Sequence, residues 1–320
     1  MKKSRVHDCA IVSAERSLRE LLEAGVTNRV LRKERLAESI ILFELENPLV
    51  ARSAKAGQFV VVRPNRYGER IPLTISDTDP GRGTITIIFQ IVGRTTMELG
   101  RIEEGQCVPD VCGPLGRPSE IERYGTTLSV GGGVGIAFLR PTTKALKRAG
   151  NEVITIIGAR EKNLLILEDE MRDLSDELFV TTDDGSYGRK GFVSDVVRDL
   201  LKAGEGEAPA EPGSAGASPS RRRRIDIVFA IGPMPMMRAV AEVTRPFGVK
   251  TIVSLDPIMI DGTGMCGGCR VSVGGKTQFT CVDGPDFDAH EVDWDELATR
   301  KGFYAAEERA AREFVPKESK

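Results

Sequence analysis

The chain is 320 residues long, 40% apolar and 29% charged, with a formal net charge of −2. That length argues for two or three domains rather than one core. The near-balanced charge gives no electrostatic case for nucleic acid or an anionic membrane, and no apolar run approaches the ~20 residues of a membrane span.

Residues 1–27 read as an N-terminal extension. Asp8, Glu15 and Arg19 interrupt its hydrophobic residues, so it is not a secretory signal, and the cytoplasm is the expected compartment. Residues 28–122 are β-rich. Gln58–Arg63 and the glycine-bounded run Gly83–Gly93 read as strands, with turn signals at Asn47-Pro48, Pro64-Asn65 and Asp79-Pro80-Gly81. Short strands at that spacing predict an antiparallel β-barrel or sandwich. Within it, Arg70-Ile71-Pro72-Leu73-Thr74 opens a strand. It offers an arginine for a pyrophosphate, an apolar pair to line an isoalloxazine face and a hydroxyl to bond the flavin edge. Val92-Gly93-Arg94-Thr95-Thr96 ends a second strand and opens a short helix whose N-terminus suits an anion. Each has a plainer reading, as an edge strand and as an N-cap.

Residues 123–255 change rhythm. Strands at Thr127–Val130, Glu152–Ile157, Leu178–Thr182 and Ile225–Ile231 alternate with helices ending at Ala149, near Leu167 and over Phe192–Lys202. This predicts an α/β domain built on a parallel sheet. Residues 204–224 hold no large apolar side chain and close on four arginines, which predicts a disordered insertion. Gly131-Gly132-Gly133-Val134-Gly135 follows a strand and opens a helix, so backbone amides there can approach dinucleotide phosphates. Gly158-Ala159-Arg160, Asp183-Asp184 and Gly232-Pro233-Met234 sit at the other carboxyl edges, where open α/β sheets bind ligands. Arg160 suits a 2′-phosphate and Asp183 or Asp184 a free ribose, leaving NADH against NADPH open. All of them also read as solvated loop charges and ordinary turns.

Residues 256–304 are glycine-rich, and 305–320 read as a tail. Six cysteines in 320 residues do not make a disulfide scaffold. Cys9, Cys107 and Cys112 are scattered, whereas Cys266, Cys269 and Cys281 are bunched. The plant-type 2Fe–2S spacing is Cys-x₄-Cys-x₂-Cys followed by a distant Cys. Cys266, Cys269 and Cys281 fill its last three places, and Asp261, a carboxylate able to ligate iron, stands in the first. A structural zinc on the same residues, or Asp261 as a turn residue, remains the alternative. The two histidines, His7 and His290, have no catalytic neighbour in sequence, so no catalytic side chain is expected and cofactors carry the chemistry.

Taken in order, these segments resemble the ferredoxin reductase-like flavoproteins that end in a 2Fe–2S module. Arg70 to Thr74, Gly113-Pro114-Leu115-Gly116, the glycine-rich turn and above all Asp261 to Cys269 carry the likeness. It is nearest to the small subunits of NADH-dependent reduced ferredoxin:NADP oxidoreductase and of sulfide dehydrogenase. The electron-transfer subunit of dihydroorotate dehydrogenase, which has cysteine at the first ligand position, is more distant. The resemblance implies FAD, NAD(P)H and a 2Fe–2S cluster on Asp261, Cys266, Cys269 and Cys281. It also implies a large flavin and iron–sulfur subunit as partner, with ferredoxin in the same circuit and flavin-based bifurcation as the mode. The family's arginine lies three residues before its flavin Ser/Thr, a place held here by Ile71. A non-enzymatic zinc- or cluster-binding assembly module is the reading from another class.

Overall fold

The structure is a computed structural model that describes residues 27–205 and 224–313. The extension through residue 26 and the insertion from 206 to 223 lie outside them. The first unit contains β1 (Val30–Ala37), β2 (Ile40–Glu46), α1 (Pro48–Ser53), β3 (Phe59–Arg63) and β4 (Ile71–Asp79). It continues with β5 (Thr84–Gln90), α2 (Arg94–Leu99) and β6 (Asp110–Leu115). Its strands pair antiparallel in the order β1-β2-β5-β4-β3-β6. The two edges meet where Val30 N–H bonds Gln106 O at 2.8 Å and Val108 N–H bonds Asn28 O at 3.0 Å, closing the barrel. Alternation sends Val60, Val62 and Leu73 inward to join Phe43, Ile85, Ile87 and Phe89. Phe59 and Val61, on the opposite face of β3, point away from that core.

The second unit alternates β7 (Thr126–Gly132), α3 (Gly135–Arg148), β8 (Glu152–Ala159), α4 (Glu168–Asp173) and β9 (Glu177–Thr182). It goes on through β10 (Arg189–Lys190), α5 (Val193–Glu205), β11 (Ile227–Ile231), α6 (Met234–Thr244) and β12 (Lys250–Ser254). These strands form a parallel sheet in the order β10-β9-β8-β7-β11-β12. Helices cover both faces, which is why β8 and β11 are buried nearly throughout instead of alternating. Ile136, Ala137 and Leu139 of α3 pack on Ile40, Leu42 and Ile88 of the barrel. Ser76 Oγ donates to Ala137 O at 2.7 Å across the same boundary, and Asp77 pairs with Lys144 and Arg140 at 2.8 and 3.1 Å.

The last segment holds β13 (Arg270–Val273), β14 (Lys276–Phe279), α7 (Thr280–Asp283), β15 (Asp286–Asp288), α8 (Trp294–Lys301) and α9 (Ala305–Glu313). β13 and β14 form a hairpin, while β15 leaves it to pair antiparallel with β12 as the seventh strand of the large sheet. Val271, Val273, Phe287, Val292, Trp294 and Leu297 thereby join the core of the α/β unit. A segment too small for a core of its own borrows one. The tail expected from residue 305 is helical as far as Glu313. Among the described residues no helix is long and apolar enough to cross a membrane.

Candidate functional site

Residues 256–269 run without regular structure from β12 to β13 and carry Asp261, Cys266 and Cys269, while Cys281 lies in α7. Cys269 and Cys281 are buried free thiols with Sγ atoms 3.2 Å apart, whereas Cys266 is exposed. Asp261 accepts the N–H of Thr263 on Oδ1 at 3.0 Å and that of Cys266 on Oδ2 at 2.8 Å. Those bonds, the Thr263 amide first, hold its carboxyl below the usual range. Burial, with Cys269 alongside, pushes the Cys281 thiol up to about 12, against the opposing pull of the Gly264 N–H. A metal cation facing the pair would oppose that shift. Gly268 N–H also points at Cys266 Sγ, at 3.4 Å, so backbone donors already turn toward sulfur. The four donors form two pairs, Asp261 with Cys266 and Cys269 with Cys281. Among the described residues no three Cys, His, Asp or Glu side chains converge on a single point.

The glycine turn lies where the sheet's order reverses, between β7 and β11. A β-carbon on Gly135 would sit 2.4 Å from Ile231 O and 2.5 Å from Gly232 Cα, so the two turns touch backbone to backbone. Gly132 and Gly232 share the Met236 sulfur as neighbour, and Pro233 and Met234 start α6 beside them. The Gly133 N–H donates to Gly158 O at 2.9 Å, so it ties the turn to β8 and is not free for a phosphate. Ala159 O accepts the Asp183 N–H at 3.1 Å, joining the loops after β8 and β9. Asp184 accepts the Ser186 N–H at 2.9 Å, the first cause of its lowered pKa, while the Ser186 hydroxyl takes the Lys162 N–H. Arg160 O accepts the Asp184 N–H at 3.2 Å, while its side chain is exposed and unpaired among the described residues. Gly131 to Gly135, Gly158 to Arg160, Asp183, Asp184 and Gly232 to Met234 thus line one edge.

In the barrel, Arg70 is exposed and unpaired among the described residues, just before β4. Pro72 and Thr74 face outward, half-buried, but Leu73 points into the barrel core, so only its backbone is available to a flavin. The threonines differ from expectation. Thr96 Oγ1 accepts from the Val92 and Gly93 N–H groups at 3.0 Å each, so it caps α2. The buried Thr95 hydroxyl donates to Glu69 at 3.3 Å.

The iron–sulfur cluster binding domain of dihydroorotate dehydrogenase B matches residues 256–293. Over 286 residues the chain is 48% identical to a Thermotoga maritima protein, the dihydroorotate dehydrogenase B (NAD(+)) electron transfer subunit homolog, covering 89% of this chain and 94% of that one. The chain belongs to the family of dihydroorotate dehydrogenase B electron transfer subunits and their homologues. A Fusobacterium nucleatum protein named as the electron transfer subunit itself is 31% identical over 266 residues, covering 81% and 94% of the two chains. A solved structure of the NADH-dependent reduced ferredoxin-NADP oxidoreductase, described in terms of flavin-based electron bifurcation, aligns with a TM-score of 0.80 and 47% identity. That alignment covers 90% of this chain and 97% of the other.

For a member of this electron-transfer family, the contact between barrel and metal loop matters, and the sequence does not announce it. Phe59 and Val61 of β3, with Leu115 of β6, pack against Met259, Cys269 and Cys281. A strand reads as barrel core on both faces until the loop that covers the outer one is known. The signal available was Gly113-Pro114-Leu115-Gly116, already part of the resemblance but without a stated neighbour.

Proposed function

We propose that the chain is the NAD(H)-facing subunit of a heteromeric oxidoreductase. It carries electrons between NAD(H), FAD and a 2Fe–2S cluster, to or from a large flavin and iron–sulfur subunit of the ferredoxin:NADP oxidoreductase or sulfide dehydrogenase type. The reading places FAD on residues 28–122, the nicotinamide on 123–255 and the cluster on 256–304. The observation that carries it is the paired donor set. A single zinc needs four donors converging on one point. Cys269 and Cys281, with sulfurs 3.2 Å apart, and Asp261 and Cys266, at the first two places of the plant-type spacing, would supply two ligands to each of two irons. Aspartate at position 261 favours the ferredoxin and sulfide types over a dihydroorotate partner, whose subunits have cysteine there.

When bound, the nicotinamide, flavin and cluster supply the redox chemistry, two electrons at a time between the first two and one at a time with the third. The chain's own residues bind and orient. Asp261, Cys266, Cys269 and Cys281 hold the cluster, and Arg70 with the α2 backbone holds the flavin pyrophosphate. Pro72 and Thr74 face the flavin ring, and the crevice between Gly132 to Gly135 and Gly232 to Met234 seats the dinucleotide. No histidine takes part in this scheme among the described residues, since His290 Nε2 lies 3.0 Å from Thr244 Oγ1 in a structural contact. Metal and sulfide analysis with low-temperature EPR after reduction tests the reading. About two irons and two sulfides per chain with a rhombic signal, together with a yellow chromophore, are expected. Stoichiometric zinc and EPR silence would overturn it.

A further inference from the structure

We propose that Val61 and Leu115, with Gly262 seated against them, form the apolar septum that sets the flavin-to-cluster separation and hence the rate of one-electron exchange. This rests on the proposed function and adds to it the residues that position the two groups. The argument starts from strand register. Pro72 pairs with Val61 and Thr74 with Phe59. Side chains directly opposite in an antiparallel pair share a face, so the residues expected to meet the flavin lie beside Val61 and Phe59 on the outer surface. Those same two side chains lie in one buried cluster with Met259 and the thiols Cys269 and Cys281. One strand's width, about 4.8 Å, therefore separates the flavin strand from the strand that carries the metal loop.

Gly262 closes the gap. Its φ is +75°, and a β-carbon there would lie 2.7 Å from Leu115 Cδ1 and 3.1 Å from Val61 Cγ2. The loop beside Asp261 thus approaches the barrel in a left-handed conformation that favours glycine, and a β-carbon there would have to displace the Leu115 side chain. The approach is braced from the other side of the loop cluster, where the Arg117 N–H donates to Gly284 O at 2.6 Å and Arg117 Nε to Val282 O at 3.1 Å. It also sorts the donors. Cys269 and Cys281 face the barrel, while the Asp261 and Cys266 pair lies toward solvent. The exchange moves one electron from a flavin reduced by NADH to one ferric iron of the cluster, and no bond forms or breaks.

The test uses the full chain purified with flavin and iron. Gly262→Ala is compared with wild type for cofactor content, for the pulsed-EPR distance between the two paramagnetic centres in half-reduced protein, and for the exchange rate after rapid one-electron reduction. Gly262→Ala is expected to lengthen that distance and to slow exchange several-fold. Gly262→Ala/Leu115→Ala, which vacates the contact, is expected to recover part of both. Full cofactor content with unchanged distance and rate in Gly262→Ala would overturn the septum. Where Gly262→Ala sheds its iron, Leu115→Ala alone decides: a changed distance and rate with the cluster retained supports the proposal, and unchanged values overturn it. Wild-type protein lacking flavin or iron would instead overturn the proposed function, and with it this inference.

Discussion

Asp286 Oδ2 accepts the Ser119 hydroxyl at 2.5 Å, while Oδ1 is sealed from solvent without a well-aligned donor. Burial pushes this carboxyl up to about 6; the Ser119 and Ser254 hydroxyls oppose the shift, and Glu120 adds to it. The unfolded chain releases the proton near 3.8 and the folded chain only near 6, so the folded state binds more protons in between. Stability from this group is complete below about pH 4, declines as pH rises to 6, and stays reduced above that. Asp286→Asn keeps an acceptor for Ser119 and removes the ionisation. We expect it to be more stable than wild type at pH 7.5 by on the order of 2 kcal/mol, and equal to it near pH 4. Urea unfolding of iron-free protein at the two pH values measures this, and a pH-independent difference would refute it. Nothing in the sequence marked Asp286, because its partners Ser119 and Ser254 come from distant parts of the chain. By contrast, Asp261 and its three cysteines stood out at once, since ligand spacing is local.

At the scale of elements, the glycine turn after β7 separates two demands that sequence alone merges. Gly133 has φ +55° and open space where a β-carbon would go, whereas Gly135 is pressed against Ile231 O and Gly232. Gly133→Ala should cost about 1 kcal/mol of backbone strain and leave nucleotide affinity within a few-fold. Gly135→Ala has to push α3 away from β11, costing about 1–3 kcal/mol and opening the crevice between them. Its NADH affinity is expected to fall roughly tenfold or more, the equivalent of 1.4 kcal/mol. Calorimetric titration of both variants checks the contrast, and equal losses would contradict it. The β-branched apolar runs of β5 and β8 and the helical pattern of α5 were legible from sequence alone. β15 was not, because Asp286-Phe287-Asp288 is three residues long and its pairing with β12 is decided by tertiary packing. Thr96 shows the same limit within a helix start: its hydroxyl reads equally as anion ligand and as cap, and only the bonds from Val92 and Gly93 decide for the cap.

Across the whole molecule, the metal segment is fastened on two sides by apolar contacts, and those on the large sheet do not involve its ligands. Phe287, Trp294 and Leu297 lie in the core of the large sheet, and Trp294 Nε1 donates to Ala289 O at 3.1 Å. Met259 and the buried thiols rest on the barrel. A glycine-rich segment of this length has little core of its own and needs a metal or a partner surface to hold it. Sequence does not reveal which, because the residues that anchor it are isolated hydrophobic positions. The packing separates metal binding from folding. Cys266 is exposed and touches no core, so Cys266→Ser should abolish or alter the cluster yet change the stability of the iron-free chain by less than about 0.5 kcal/mol. Trp294→Ala empties a core position and should cost about 3–5 kcal/mol with or without iron. Denaturant unfolding of iron-free wild type and both variants, set beside their iron contents, distinguishes the two arrangements. If Cys266→Ser destabilised the iron-free chain as much as Trp294→Ala does, the anchoring by the sheet and barrel would be wrong.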